Sequence, residues 1–443
     1  MLYGVVRVLV RFALGLFYRL ETVSRAGDLD GPVMLVGNHP NSLIDPALVF
    51  VVTRRQVTFL AKEPLFRTPV FGWLLRALGA LPVYRKQDHP GLMEKNEGTL
   101  ETAAKALVEG RAITIFPEGK SHSEPQLAEI KTGCARIALK AARGGATVRI
   151  VPVGLTYAQK QRFRSRVHLE VGTPLELPAP PAAGGDDEVA WVQTVTARVS
   201  EALRTVTLNL EQWADLELIE TAEQLYSLRL GEQTRDPERV RRFARGVELY
   251  RAEHPEAFEA IRDEVMSFRS RLQLVNASPD DLDLQYRRPE VARFVGRSLA
   301  SLLLGLPLFA LGLVLFAIPF YTVRIASRVV PLAPDRVATL KFVGALVMTP
   351  LWQALLSYVG LRLWGTAGLL VSALMLPLAM FTRYFIERWR GALGDIRTFF
   401  TLGNRGRLKA LLLVEGERLA EEIDRVASEL RPRVVAEPPP GSA

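Results

Sequence analysis

The run Val36–Pro46, VGNHPNSLIDP, sets a histidine, His39, six residues ahead of a carboxylate, Asp45, with five residues between them. Imidazole is the side chain best suited to take a proton near neutral pH. A neighbouring aspartate can fix its tautomer and stabilise the imidazolium that forms. On a continuous α-helix, residues six apart lie about 120° apart and do not share a face. His39 must therefore stand in a turn ahead of a helix, with Asp45 reaching back to it. Pro40 supports this by disfavouring helical geometry at His39. Three blocks follow: Gly79-Ala-Leu-Pro-Val-Tyr-Arg85, Phe116-Pro-Glu-Gly-Lys-Ser-His-Ser123 and Val151-Pro-Val-Gly154. The first two put polar groups at strand ends, where α/β folds collect catalytic residues. Singly, each has a plain reading. Arg85 is then a surface arginine, Glu118 shapes a turn, His122 is a loop histidine, and His39–Asp45 is a capped helix start.

The elements around these blocks alternate. Val33–Val36, Gln56–Leu60, Leu81–Tyr84, Ala112–Phe116, Val148–Val153 and Val167–Val171 are short and rich in aliphatic or β-branched residues, so they are predicted strands. Glu94–Glu109 and Thr132–Arg143 have helical spacing. The alternation predicts an α/β domain over residues 26–177 with a largely covered sheet. Ahead of it, residues 1–25 hold an apolar stretch in which Arg7 and Arg11 share a face; it reads as an amphipathic helix in a membrane interface, or as a helix packed on the domain. Pro64–Leu78 crowds Phe66, Val70, Phe71 and Trp73 between basic residues; it is either core or a membrane-dipping helix, and the basic residues towards both ends favour the interface.

The 443 residues favour more than one unit. Pro178–Asp187 reads as a linker, 188–290 as a charged helical region, and Asn276–Arg288 as a polar break within it. Mean hydropathy is +0.13, and most of the apolar excess lies in Ser298–Thr382. Ser298–Tyr321, Phe342–Leu361 and Leu363–Thr382 are each long enough to span a bilayer, so 298–385 is the membrane region. Basic residues flank every segment, which conflicts with three simple spans, and Pro307 and Pro319 make the first a re-entrant candidate. Residues 386–443 are read as a cytoplasmic helix, Gly406–Leu430, and a disordered tail, Ala436–Ala443. A net charge of +9 favours anionic partners such as phosphate esters or an acidic membrane face. The single cysteine, Cys134, excludes disulfide frameworks within one chain and cysteine-rich zinc sites.

The four blocks, in this order, resemble the motifs of the glycerolipid acyltransferases, the superfamily of glycerol-3-phosphate and lysophosphatidate acyltransferases. The usual first motif is a histidine, four residues and an aspartate. The five-residue spacing here, Pro40 to Ile44, resembles the branch containing fungal-type glycerol-3-phosphate and dihydroxyacetone-phosphate acyltransferases. Ser121-His122, where many members carry Arg-Ser, and Lys131-Thr-Gly133 point the same way. The resemblance covers residues 30–175, about a third of the chain.

What the resemblance implies is direct acyl transfer in phospholipid biosynthesis. His39 takes a proton from an acceptor hydroxyl, which attacks an acyl thioester, and Asp45 orients the imidazole. No acyl-enzyme, metal or cofactor is needed; acyl-CoA or acyl-carrier protein is the co-substrate. Arg85 holds the acceptor's phosphate, Glu118 and Gly119 shape the acceptor site, and backbone donors near a turn at Val151–Gly154 support the oxyanion. Lys120 adds charge that suits the same phosphate. Membrane lipids are partners and nucleic acid is not. The expected location is a bacterial plasma membrane, catalytic domain on the cytoplasmic side. The competing reading is a non-catalytic membrane lipid-binding protein on the same fold.

Overall fold

The computed structural model describes residues 2–435, apart from 28, 54, 85–93, 183–185, 233–235, 276, 283–287 and 404–405. Arg85, the 436–443 tail, and parts of the linker and of the polar break lie outside the described residues.

The protein is an α/β domain followed by a helical region. Strands β1 (Tyr18–Ser24), β2 (Val33–Gly37), β3 (Val57–Lys62), β4 (Leu81–Val83), β5 (Ala112–Ile115), β6 (Arg149–Tyr157) and β7 (Ser165–Val171) form one sheet in the order β1-β7-β6-β2-β5-β3-β4. Neighbours are parallel except β6 and β7. β2, with all five residues buried, lies at the centre, as its unbroken apolar run requires. One face is covered by α4 (Lys95–Val108) and α5 (Gly133–Arg143), whose Leu107, Ile137 and Ala138 pack on Met34, Ile113 and Ile150. The other face is covered by α1 (Leu2–Phe17) and α2 (Ile44–Val52), through Leu14, Phe17, Ile44 and Leu48 against Leu35, Val151 and Val153.

The domain does not end at residue 177. Helix α6 (Asp186–Val206) buries Trp191, Val195, Val199 and Leu203 in the same core as Met34 and Ile150, so the compact unit runs to Asn209. Gly154 is required there, because a Cβ would stand 1.8 Å from the Val206 carbonyl oxygen. The Val151–Gly154 block is therefore not a turn. It lies inside β6, the longest strand, and its backbone is engaged by the ladders to β2 and β7. β1 escapes sequence detection because it is an edge strand of mostly exposed residues with no buried alternation.

Pro64–Leu78 is not one helix. A 3-10 turn over Glu63–Arg67 gives way at Thr68 to α3 (Pro69–Ala77), on which Val70 and Trp73 are exposed. Helix α1 packs one face on the domain and leaves the other exposed. Tyr3, Val6, Val10, Leu14 and Phe17 pack on the domain, while Val5, Val8, Leu9, Phe12 and Leu16 stay exposed.

The second unit comprises Leu210–Pro331 and Val343–Ala436. Its core joins α7 (Asp215–Arg229), α9 (Pro255–Leu274) and α14 (Gly406–Val435) through Leu225, Phe268, Leu272, Leu419 and Ile423, with Phe243 and Val247 of α8 (Pro237–Glu253) packed against it. Among the described residues, three helical stretches are long and apolar enough to cross a membrane: Arg293–Leu315 in α10 (Arg288–Leu315), all of α12 (Pro334–Trp364), and Thr366–Trp389 in α13 (Thr366–Gly403). The charge-free run Ser298–Tyr321 is helical through Pro307 but breaks at Phe316, where α11 (Ala317–Val329) begins. The segment Leu332–Phe342, read from sequence as membrane region, belongs to the first unit instead.

Candidate active site

β2, β5 and β6 run parallel, so their C-terminal ends open on the same edge of the sheet. His39 follows β2, Phe116–Glu118 follow β5, and Tyr157 closes β6. Past the end of β2, the Asn38 side chain stands in for the ladder. Its Nδ2 donates to the Leu155 carbonyl at 3.0 Å and its Oδ1 accepts from the Leu155 N–H at 2.8 Å. The turn that follows holds Ser42 at φ 46°, a left-handed conformation uncommon outside glycine. The Ile44 N–H donates to the Asn41 carbonyl at 3.0 Å, and α2 starts at once. This tight reversal absorbs the five-residue spacing and returns Asp45 to His39.

The structure brings the pair together at 2.8 Å, His39 Nδ1 to Asp45 Oδ2. Asp45 is completely buried. A buried carboxylate stays ionised only where donors replace its water. Here Oδ2 also accepts the Asn41 N–H at 2.6 Å, and Oδ1 accepts the Tyr157 hydroxyl at 2.5 Å. Because Asp45 is the acceptor, Nδ1 carries the ring proton. Nε2 is then the unprotonated nitrogen, and it has no protein hydrogen bond among the described residues. The imidazole stacks on Phe116 with ring centroids 4.4 Å apart and keeps 19 % of its side chain exposed. A histidine so held can accept a proton through Nε2 from a molecule arriving at the sheet edge.

Sequence reasoning missed the layer behind Asp45. Tyr157 is half-buried, and desolvation of its hydroxyl, with the Asp45 charge adding to it, pushes its phenol well above the ordinary value. It therefore remains a protonated donor. Asn41 Nδ2 donates to the Tyr18 hydroxyl at 3.2 Å, and that hydroxyl donates to the Lys160 carbonyl at 2.6 Å. Burial likewise raises the Tyr18 phenol. Neither tyrosine had a local signal: Tyr157 reaches Asp45 only because β6 lies beside β2, and Tyr18 reaches Asn41 from the start of an edge strand. Lys160 was missed as well. Its ammonium lies 3.2 Å from Ser123 Oγ, and desolvation lowers its pKa against the opposing pull of Asp45, Asp335, Glu118 and Glu124.

Glu118 is placed differently from the expectation that it lines an acceptor site. Its side chain is 1 % exposed. Oε1 accepts the His39 N–H at 2.7 Å, and Oε2 accepts the Ala128 N–H at 2.9 Å and meets His122 Nε2. His122 Nδ1 accepts from the Glu124 N–H at 3.2 Å, so its proton sits on Nε2 and is donated to Glu118. The His122 N–H in turn donates to the His39 carbonyl at 3.1 Å. Glu118 and His122 thus fix the backbone of His39 from both sides and leave the imidazole as the exposed group. Gly119 occupies φ 69° in the same loop, and Lys131 lies across it, its Nζ 2.6 Å from where a Cβ would be. Lys120 and Lys131 are exposed beside this glycine. The Leu332–Phe342 segment completes this side: Asp335 accepts from Ser121 Oγ, and Thr339 Oγ1 accepts the Leu43 N–H at 3.3 Å.

Residues 17–156 match the family model described as Acyltransferase. The match takes in His39, Asp45, Glu118, Gly119 and Lys120 and stops one residue before Tyr157. No curated protein matches the chain. Among solved structures, the chain is similar to the 1-acyl-sn-glycerophosphate acyltransferase PlsC from Thermotoga maritima, at 22 % identity over 46 % of this chain and 79 % of that one, with a TM-score of 0.32.

Proposed function

We propose that this protein is an O-acyltransferase that moves a fatty acyl group from an acyl thioester to a hydroxyl of a phosphate-bearing glycerol acceptor, glycerol 3-phosphate or a lysophosphatidate. The observation that carries the reading is His39, held through Nδ1 by a buried aspartate with Nε2 left open, inside a segment that matches an acyltransferase family model. Nε2 takes the acceptor's hydroxyl proton as its oxygen attacks the thioester carbonyl. The tetrahedral adduct then expels thiolate, which recovers that proton from the imidazolium and leaves as thiol. Asp45 stabilises the imidazolium between the two transfers. Glu118 acts as a positioning residue, through the His39 backbone. Arg85 and Lys120 supply charge for the acceptor's phosphate, and the half-buried Lys160 adds to it.

The thioester is carried by coenzyme A or by acyl-carrier protein, and no further cofactor takes part. Exposed Val8, Leu9 and Phe12 on α1, with Val70 and Trp73 on α3, suit contact with the bilayer that holds the lipid product. A bacterial plasma membrane with the catalytic unit on the cytoplasmic side fits this use. The test is a donor-by-acceptor assay on the purified full-length protein, with acyl-CoA or acyl-carrier protein against glycerol 3-phosphate, dihydroxyacetone phosphate and lysophosphatidate, read by mass spectrometry. A product that disappears in His39→Ala is expected. Absence of any His39-dependent product would overturn the reading in favour of lipid binding without catalysis.

A further inference from the structure

The helical unit contains a cavity of about 280 Å³ between α7, α8, α9 and α14 that no step of acyl transfer uses. Its wall is apolar and aromatic, with Tyr226, Phe243, Tyr250, Phe258, Val265 and Leu430 among the lining residues. Among the described residues, four arginines, Arg239, Arg242, Arg262 and Arg431, also line it, and no aspartate or glutamate does. Arg239 is committed to Glu223 at 2.9 Å and Glu232 at 2.5 Å. Arg242 and Arg262 meet carboxylates that lie outside the lining: Asp236 and Glu238 at 3.7 and 3.9 Å, Glu259 and Asp263 at 2.5 and 3.0 Å. These pairs are solvent-exposed and so contribute little, which lets the guanidinium groups turn to another anion. Arg242 and Arg431 are exposed.

Gly246, in the middle of α8, is a second observation. Glycine is unfavourable in a helix interior. Among the described residues, a Cβ at this position would meet only Leu430 Cδ1, at 3.9 Å, so no close backbone approach calls for glycine. What its absent side chain does is leave the cavity open.

We propose that this cavity is a binding site for a single acyl chain capped by an anion, the chemistry shared by a free fatty acid and a lysophosphatidate. The chain lies among the aromatic and aliphatic residues, and the head meets the arginines. The site lies outside the catalytic unit, so the inference is independent of the reading of His39.

The test is photolabelling of the full-length protein in phosphatidylcholine nanodiscs with a diazirine-bearing palmitate, the adducts mapped by mass spectrometry. Adducts are expected on α8, α9 and α14, competed at least about tenfold better by palmitate or lysophosphatidate than by hexadecanol; the stronger competitor identifies the head group. Gly246→Leu, which fills the cavity, is expected to lower these adducts about tenfold with an unchanged melting curve. Ala427→Phe serves the same purpose from α14 should the first variant fail to fold. Lack of adducts on these helices, wild-type labelling in a folded cavity-filled variant, or equal competition by hexadecanol would each overturn the proposal.

Discussion

Asp45→Asn keeps the shape of the buried side chain and removes its charge. The amide has two orientations. With nitrogen in the place of Oδ2, it faces the Asn41 N–H, now 2.6 Å from that oxygen, and His39 must give up its Nδ1 proton to make a bond. Nε2 is then protonated and cannot serve as a base. With nitrogen in the place of Oδ1, the tautomer survives, but the Tyr157 hydroxyl loses its acceptor and the imidazolium loses its counter-charge. The second orientation costs catalysis least and sets the floor of the effect. Two unit charges about 4 Å apart interact by about 4 kcal/mol at an effective dielectric of 20. Losing most of that in the transition state lowers kcat/KM by roughly 10²- to 10³-fold. The loss should fall mainly on kcat, because Asp45 is fully buried and touches no substrate. The assay is thiol release from acyl-CoA with glycerol 3-phosphate or lysophosphatidate as acceptor, with circular dichroism to confirm folding at the assay temperature. A folded Asp45→Asn protein within about tenfold of wild type would refute the role of Asp45 as charge partner of His39.

Tyr157→Phe leaves Asp45 Oδ1 buried without the donor now at 2.5 Å. It is expected to cost about 1–3 kcal/mol of stability in chemical denaturation and to lower kcat more than it changes KM. Gly154→Ala drives a Cβ to 1.8 Å from the Val206 carbonyl. It should destabilise the catalytic unit by about 3 kcal/mol or more, read as a loss of soluble, folded protein or a lowered melting point. Cys134 is buried, and its thiol is pushed up to about 11 by desolvation from an ordinary 9.0. Below pH 9 the thiol is protonated in both the folded and unfolded chain. Between about 9 and 11 only the unfolded chain releases the proton, so this group's contribution is lost as pH rises, by at most about 3 kcal/mol. Cys134→Ala should flatten the stability–pH curve over that window; an unchanged slope would show the thiol does not contribute.

The central strands were legible because a buried parallel strand is a short unbroken apolar run, as at Val33–Val36 and Ala112–Ile115. The spacing of His39 and Asp45, with Pro40 between them, required a turn before a helix. The tertiary structure supplied how that turn closes, through left-handed Ser42 and the return of Asp45 to within 2.8 Å of the imidazole. It also decided what no local pattern carries. Tyr157 is 112 residues from Asp45 in sequence, and Asp335 is 214 from Ser121. Such pairs follow from strand order and helix packing, and neither residue differs in its own neighbourhood from an ordinary polar side chain. The same holds for Glu118. Its sequence block shows a carboxylate at a glycine turn, but only burial turned that carboxylate inward, onto the His39 N–H, and away from solvent. Likewise, α14 reads in sequence as a charged amphipathic helix. Its Leu419 and Ile423 are buried against α7 and α9 because an amphipathic helix shows which face must be covered and not what covers it.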